Sequence, residues 1–306
     1  MKWFLAKRAG ALIPVLIGVS IAVFLMLHLV PGDPARIIAG QEASAQDVET
    51  VRNSLGLDRP LPTQYADFVG RYVRGDLGTS YRTKRPVSGE VAAGYGNTMI
   101  LGVAGMVFAI ALGVPLGIAS AVWKFSWVDN LCLAISLLGV SMPTFFLGLL
   151  LMLVMSVQLG WLPLAGADTP LHLVLPAITL GLPTAAVIAR ITRSSMIDVL
   201  GSDYVRTARA KGAKDSSVVW RHAFRNALIP VTTVIGLQMG YMLGGAVIVE
   251  TVFAWPGLGR LTVQAISARD FPVVQAAVLV LAVTFVAVNM ITDILYGFLD
   301  PRISAS

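Results

Sequence analysis

The sequence predicts an all-α, polytopic membrane protein with six transmembrane helices and a polar outer segment between the first and second. Three observations carry this. Of the 306 residues, 56% are hydrophobic and only 13% are charged, where a soluble domain carries about 25% charged residues. The apolar residues gather into uncharged runs, six of them long enough to supply the roughly 20 residues that cross about 30 Å of hydrocarbon. The basic excess, formally +6, sits between apolar blocks rather than along one face. That is the pattern of membrane orientation rather than of nucleic-acid binding.

In chain order, the first run lies between Arg8 and Asp33. Its apolar stretch Ala11–Val30 is longer than a signal-peptide core and no small-residue cleavage site follows it, so it reads as an uncleaved anchor. The second runs from Glu90 to Lys124 with its body at Thr98–Val122, and the third follows Asp129 through Val157. The fourth lies between Asp168 and Arg190, the fifth between Arg225 and Glu250, the sixth between Asp270 and Asp293. Pro14, Pro115, Pro143, Pro176, Pro183 and Pro230 fall in these runs; membrane helices tolerate proline because neighbouring groups satisfy the freed carbonyls. Gly236, Gly240, Gly244 and Gly245 read as close-packing positions. The domain reading is therefore a first helix with its tip (1–30), an outer segment (31–95), and a five-helix core (96–299) carrying a loop at 193–226.

Lys2, Lys7 and Arg8 precede the first run, which places both termini in the cytoplasm by the positive-inside rule. The segment between runs four and five agrees: Arg190, Arg193, Arg206, Arg209, Lys211, Lys214, Arg221 and Arg225 outnumber Asp198, Asp203 and Asp215, while Gly160–Leu171 has no Lys or Arg. In the outer segment, helices are expected at Ala45–Leu55, with Asp47 as N-cap, and at Pro62–Val73, and Gly75–Tyr81 reads as a turn. That segment either caps the bundle or docks an external protein.

The stretch Asp203–Thr233, DYVRTARAKGAKDSSVVWRHAFRNALIPVTT, opens with helix formers, is punctuated by Gly212 as at a helix C-terminus, and resumes a helical pattern at Ser216–Ala227. A short helix, a turn and a second helix form either a docking element or a solvated basic loop; spacing alone supports both. No cofactor or metal site is expected: Cys132 is alone, and His28, His172 and His222 are far apart without metal-ligand spacing. There is no P-loop, zinc-protease or serine-hydrolase motif, so the chain is not read as an enzyme and energy must come from partner ATPases or an ion gradient. Substrate-binding residues stay unknown; Ser141, Thr144, Thr179 and Thr184 are candidates for a pore lining by polarity alone.

The same stretch resembles the cytoplasmic signature of ABC importer permeases, E-A-A, three residues, Gly, nine residues, I-x-L-P. Arg206-Thr207-Ala208 stands at E-A-A, Gly212 at the glycine, His222 and Phe224 at the Ile and Leu, and Arg225 at the proline. The departures match the variant of the dipeptide/oligopeptide/nickel permease family, to which DYVRTARAKG, RNALIP, PGDPAR (Pro31–Arg36), GDLGTS (Gly75–Ser80) and the ending Glu250–Arg260 are similar. Within that family Ile38–Gln46, Leu159–Pro163 and Ala189–Ser195 are closest to the glutathione permeases. The resemblance implies a type I ABC importer permease fold in a bacterial inner membrane. It implies as partners a second homologous permease subunit, two cytoplasmic ABC ATPases, an extracytoplasmic solute-binding protein and membrane lipid, with no nucleic acid. Asp203, Arg206, Thr207, Ala208, Arg209 and Gly212 would couple to an ATPase. Glu250, Phe253, Trp255, Pro256 and Gly257 would form an outer gate or lip, with Phe253 and Trp255 suited to the membrane interface. The cargo would be a dipeptide, oligopeptide or glutathione; the alternatives are a nickel or metal-chelate permease, or an ion-gradient-driven secondary transporter.

Overall fold

The computed structural model describes residues 2–29, 33–40, 42–54 and 56–299. The side chains of Lys2, Lys7 and Arg8, on which the orientation reading leans, lie outside what is described, as do Pro31, Gly32 and the tail beyond Leu299. All regular structure among the described residues is helical: α1 (Lys2–Leu29), α2 (Pro34–Ala39), α3 (Ala45–Ser54), α4 (Leu61–Val73), α5 (Val87–Val122), α6 (Trp127–Ser141), α7 (Thr144–Leu151), α8 (Val174–Leu200), α9 (Asp203–Ala210), α10 (Asp215–Ser217), α11 (Arg225–Val252), α12 (Leu258–Ser267) and α13 (Phe271–Leu299). Among the described residues, four helical stretches are long and apolar enough to cross a membrane: Val87–Val122, Pro170–Leu200, Asp215–Val252 and Phe271–Thr292. The pair α6 and α7, the latter extended to Gln158, makes a fifth if counted as one span, and the described apolar part of α1, Ile13–Leu29, is shorter.

The expected third span is not one straight helix. It bends by 110° at Met142–Pro143. Proline has no N–H to give and pushes the preceding residue out of the α region; Met142 sits at φ −80, ψ 129. Pro14, Pro115, Pro183 and Pro230 are carried inside helices. α8 runs ten residues past Arg190, to Leu200. α10 passes without a break through a π-helical stretch, Val218–Phe224, into α11.

One compact unit is built on Asn97–Pro256, and α8 is its axis. Gly105, Ala109, Gly113 and Gly117 form a stripe four residues apart on α5, which faces α8. A Cβ at Gly113 would lie 2.6 Å from the Ala185 carbonyl oxygen, one at Gly117 2.5 Å from that of Ala189, and one at Gly181 2.5 Å from that of Gly105. Real Cβ atoms do not come that close, so the two backbones touch because these side chains are absent. Of the glycines expected at close contacts, Gly236 and Gly240 are buried and a Cβ at Gly245 would meet Leu180 at 3.2 Å, while Gly244 faces open space. Leu101, Leu175, Met242, Ala246, Val249, Phe253 and Trp255 form the largest apolar cluster of the unit.

The second unit is built on Lys2–Gly96 and Gly257–Val286. The α4 rings of Tyr65 and Phe68 pack on Phe24 of α1 at 5.5 and 5.8 Å, and Ser20 and Tyr65 share a hydrogen bond of 2.7 Å. Asp270 anchors the expected turn: its carboxylate accepts from the Ser80 hydroxyl, the Tyr81 N–H (3.0 Å) and the Arg82 N–H (3.3 Å). Burial, with the Asp270 carboxylate beside it, pushes the Tyr81 hydroxyl up to about 12. The cap of α3 differs from expectation. Ser44 precedes the helix, and Asp47 is the third helical residue; Asp47 accepts from the Ser44 N–H at 3.0 Å while its own N–H donates to the Ser44 hydroxyl at 3.2 Å. This is a reciprocal capping box, and the Ser44 hydrogen bonds hold the Asp47 carboxyl below its ordinary value.

Candidate functional site

The short helix expected before Gly212 is α9. Val205 is its only buried side chain, a single apolar peg under eight residues. The rest of its attachment is polar: Asn226 on α11 donates to the Tyr204 hydroxyl (2.8 Å), which donates to the His222 carbonyl (3.4 Å). Asp203, Arg206, Thr207 and Arg209 are exposed. Ala208 turns partly inward beside Val205, which leaves Ala210 as the small residue on the exposed face. Arg206 lies 3.7 Å from Asp203 and Arg209 4.0 Å from Asp215, all largely in solvent. Exposed pairs of this kind contribute about 0–1 kcal/mol, so the two guanidiniums are held loosely. Gly212 closes the helix at φ +81, its N–H donating to the Arg209 carbonyl at 2.9 Å. No atom lies within 4 Å of where its Cβ would be; glycine is required for the backbone angle and not for space.

α9 follows α8 after two residues, and α8 is clasped at Arg193, seven residues before its end at Leu200. Arg193 donates through Nε (2.7 Å) and Nη2 (2.8 Å) to the two oxygens of Asp129 on α6. Asp129 also accepts from the Ser120 hydroxyl of α5 and the Phe125 N–H at 2.9 Å, and its side chain is 2% exposed. One carboxylate thus ties α5, α6 and α8 together next to the exposed element.

At the other end of the unit, α11 ends at Val252 and the chain turns through Ala254 at φ +52. Glu250 is fully buried and accepts from the Thr98 hydroxyl at 2.6 Å. The Trp255 indole N–H donates to the Asn97 carbonyl (3.0 Å), and the Asn97 side chain donates to the Pro256 carbonyl (2.9 Å). Phe253 is 1% and Trp255 6% exposed. They are core side chains, which corrects the expectation that they sit at the membrane interface: Phe253 packs against Gly148, where a Cβ would meet its ring at 3.1 Å. Gly257 belongs to the second unit, as the extended N-cap of α12.

Two family models match. Residues 113–305 match "Binding-protein-dependent transport system inner membrane component", and residues 1–102 match the N-terminal model of the same membrane components. The chain is 51% identical to the glutathione transport system permease protein GsiC of Pectobacterium atrosepticum and 49% identical to that of Escherichia coli K12, over 98% of both chains in each case. In fold it is similar to a chain of the MetNI methionine ABC transporter (TM-score 0.56, 19% identity, 69% of this chain and 96% of that one). A chain of an amino acid ABC transporter gives a TM-score of 0.55 at 14% identity, covering 68% of this chain and 94% of the other. The chain belongs to the binding-protein-dependent inner-membrane permease family.

It is a membrane permease component of an ABC importer, with the type I permease fold. In this permease the residues of the α9 element stand together on one short helix and its C-terminal turn; Glu250, Phe253 and Trp255 are buried near Asn97 and Thr98, and Pro256, tied to Asn97 through its carbonyl, is exposed. Of the polar candidates, Thr144 and Thr184 line a cavity of about 310 Å³ with Gln238 and Tyr241. Thr179 donates to the Leu175 carbonyl of its own helix, and Ser141 is exposed at the α6–α7 break. Sequence reasoning used Asp129 as a span boundary and Arg193 as an orienting charge at the start of the 193–226 loop, and missed their pairing. A lone acid at the start of an apolar run, with arginines at the end of another predicted on the same membrane side, was the available signal.

Proposed function

We propose that this permease is one half of a heteromeric pore through which an ABC importer brings glutathione or a related short peptide into the cytoplasm, with α9 as the docking helix of a cytoplasmic ATPase. In this reading a second homologous permease completes the pore, two ATPases supply hydrolysis, and a solute-binding protein delivers cargo on the side of residues 31–95. Both termini and the 193–226 loop face the cytoplasm. The observation that carries the cargo is the identity of about half the residues, over nearly the full length, with glutathione permeases. The observation that carries the docking is α9 itself: a short helix pegged by Val205, with Arg206, Arg209 and Ala210 turned outward, two residues beyond α8, which is clasped at Arg193 two helical turns before its end. A push on α9 is therefore delivered to the axis of the pore rather than absorbed by a slack loop. The buried corner around Glu250 and Trp255 is read as the hinge of an outer lip formed by residues 250–257.

The test is uptake of labelled glutathione and of a labelled dipeptide in cells with the gene, without it, and with Gly212→Pro. Proline cannot adopt φ +81. Glutathione uptake is expected to require the gene and to be lost in Gly212→Pro while the protein stays in the membrane. Gene-dependent uptake of a nickel chelate instead would overturn the cargo, and uptake that survives ATP depletion but not collapse of the proton gradient would overturn the mechanism.

A further inference from the structure

The second unit holds a large apolar groove, a cavity of about 570 Å³ walled by Leu16, Ile17 and Ser20 of α1, Tyr65 to Val73 of α4, and Ala276 to Thr284 of α13. Its walls are exposed apolar side chains: Val73 is 82% exposed, Ile17 48% and Val283 45%. Along α13 the lining runs from Ala276 to Thr284, eight steps or about 12 Å at 1.5 Å per residue. That is close to the hydrocarbon depth of one leaflet, half of about 30 Å. α4 is amphipathic, presenting Tyr65, Phe68, Val69, Tyr72 and Val73 to the groove at helical spacing.

The groove has a polar end. Tyr72, Leu77 and Tyr95 pack together against the cluster that contains Ala276. Arg71 precedes Tyr72 on α4; burial pushes the Tyr72 hydroxyl well above its ordinary value, Arg71 opposes that rise, and Tyr81 and the Asp76 carboxylate add to it. Arg71 is exposed and forms no ion pair among the described residues. No hydrogen bond engages the Tyr72 hydroxyl among those residues either.

We infer that this groove holds one acyl chain of an anionic phospholipid from the leaflet on the side of α4, its headgroup taken by Arg71 and Tyr72. A groove nearly as deep as a leaflet, apolar along most of its length, with a hydroxyl donor in its wall and a cation next to it on α4, has the form of a single lipid. The leaflet assignment rests on the orientation proposed above; the binding itself does not.

The test is native mass spectrometry of the full chain, purified in detergent with the subunits that accompany it, then titrated with phosphatidylglycerol or phosphatidylcholine of identical chains. One retained lipid is expected, with phosphatidylglycerol retained about fivefold more, the effect of one basic side chain near an anionic headgroup. Val283→Trp, which puts a ring into the groove at an exposed position, should lose most of the retained lipid at unchanged elution volume. Arg71→Gln should keep the lipid but lose the headgroup preference. Equal retention in wild type and Val283→Trp would overturn the site. So would efficient cross-linking of a Val283→Cys variant to a second permease in native membranes, since a protein helix would then fill the groove. Because no transport is measured, loss of this site and loss of the cargo assignment are read separately.

Discussion

Two neighbouring pieces of the permease core are held in opposite ways. At Arg193 of α8, the Asp129 carboxylate is out of solvent and takes four hydrogen bonds from three directions. Two residues beyond that helix, α9 carries three charges but rests on one buried valine, a hydrogen bond from Asn226 to the Tyr204 hydroxyl, and ion pairs of 3.7 and 4.0 Å in water. The first arrangement spends its charges internally; the second leaves them for something else to engage. Placed in series, they make a firm lever with an unsaturated tip, which a transmitting element requires: stiff where it joins the pore and adhesive where it meets a partner.

The largest effect should come from breaking the clasp on one side only. Arg193→Ala leaves Asp129 buried without its cation, a loss of roughly 3–5 kcal/mol. Thermal unfolding in detergent should show a steep fall in stability. Removing both charges, Asp129→Leu with Arg193→Leu, should recover most of it, because a buried pair contributes little beyond its apolar replacement. A double variant as unstable as the single would mean that Asp129 matters for its bonds to Ser120 and Phe125 rather than for the charge pair.

Next in size is the helix seam that carries the clasp. Gly117→Val places methyl groups where the Ala189 carbonyl oxygen already stands at 2.5 Å from a Cβ, an overpacking cost of roughly 1–3 kcal/mol. The fraction recovered as a monodisperse peak should drop. Gly244→Val, facing open space, should not change it. Val205→Ala removes the peg under α9 and is expected to loosen only that element: protease cleavage within 203–212 should speed up while global unfolding hardly moves.

The contrast between these regions also marks what could be read from residues alone. Helix positions followed from uncharged runs and their bounding charges, and α9 followed from helix formers ended by Gly212, whose φ of +81 makes its identity a local requirement. The bend at Pro143 was written in the sequence but hidden by apolar residues on both sides. The α5–α8 seam, the Asp129–Arg193 clasp and the burial of Trp255 were not legible. Each depends on two residues far apart in the chain: Gly117 is unremarkable until Ala189 is known to lie against it, and Trp255 looks like an interfacial anchor until Asn97 receives its N–H. Local chemistry announces caps and turns; pairing across helices announces itself only once the packing is known.

The smallest effect on stability is the most informative about function. Arg206→Ala and Arg209→Ala remove side chains that are 80% and 51% exposed, and surface changes of this kind fall within about 0.5 kcal/mol. Unfolding should be unaltered within that margin. If α9 is the docking helix, co-purification of the ATPase subunits should weaken in the same variants, and more so at high salt, since exposed charges are screened over about 8 Å at physiological ionic strength. A destabilised chain that loses its ATPases would say little, because anything that disturbs the core could do that. A chain of unchanged stability that loses them would locate the contact on these two guanidiniums. Unchanged stability with undiminished co-purification would return α9 to the role of a solvated basic loop that only sets topology.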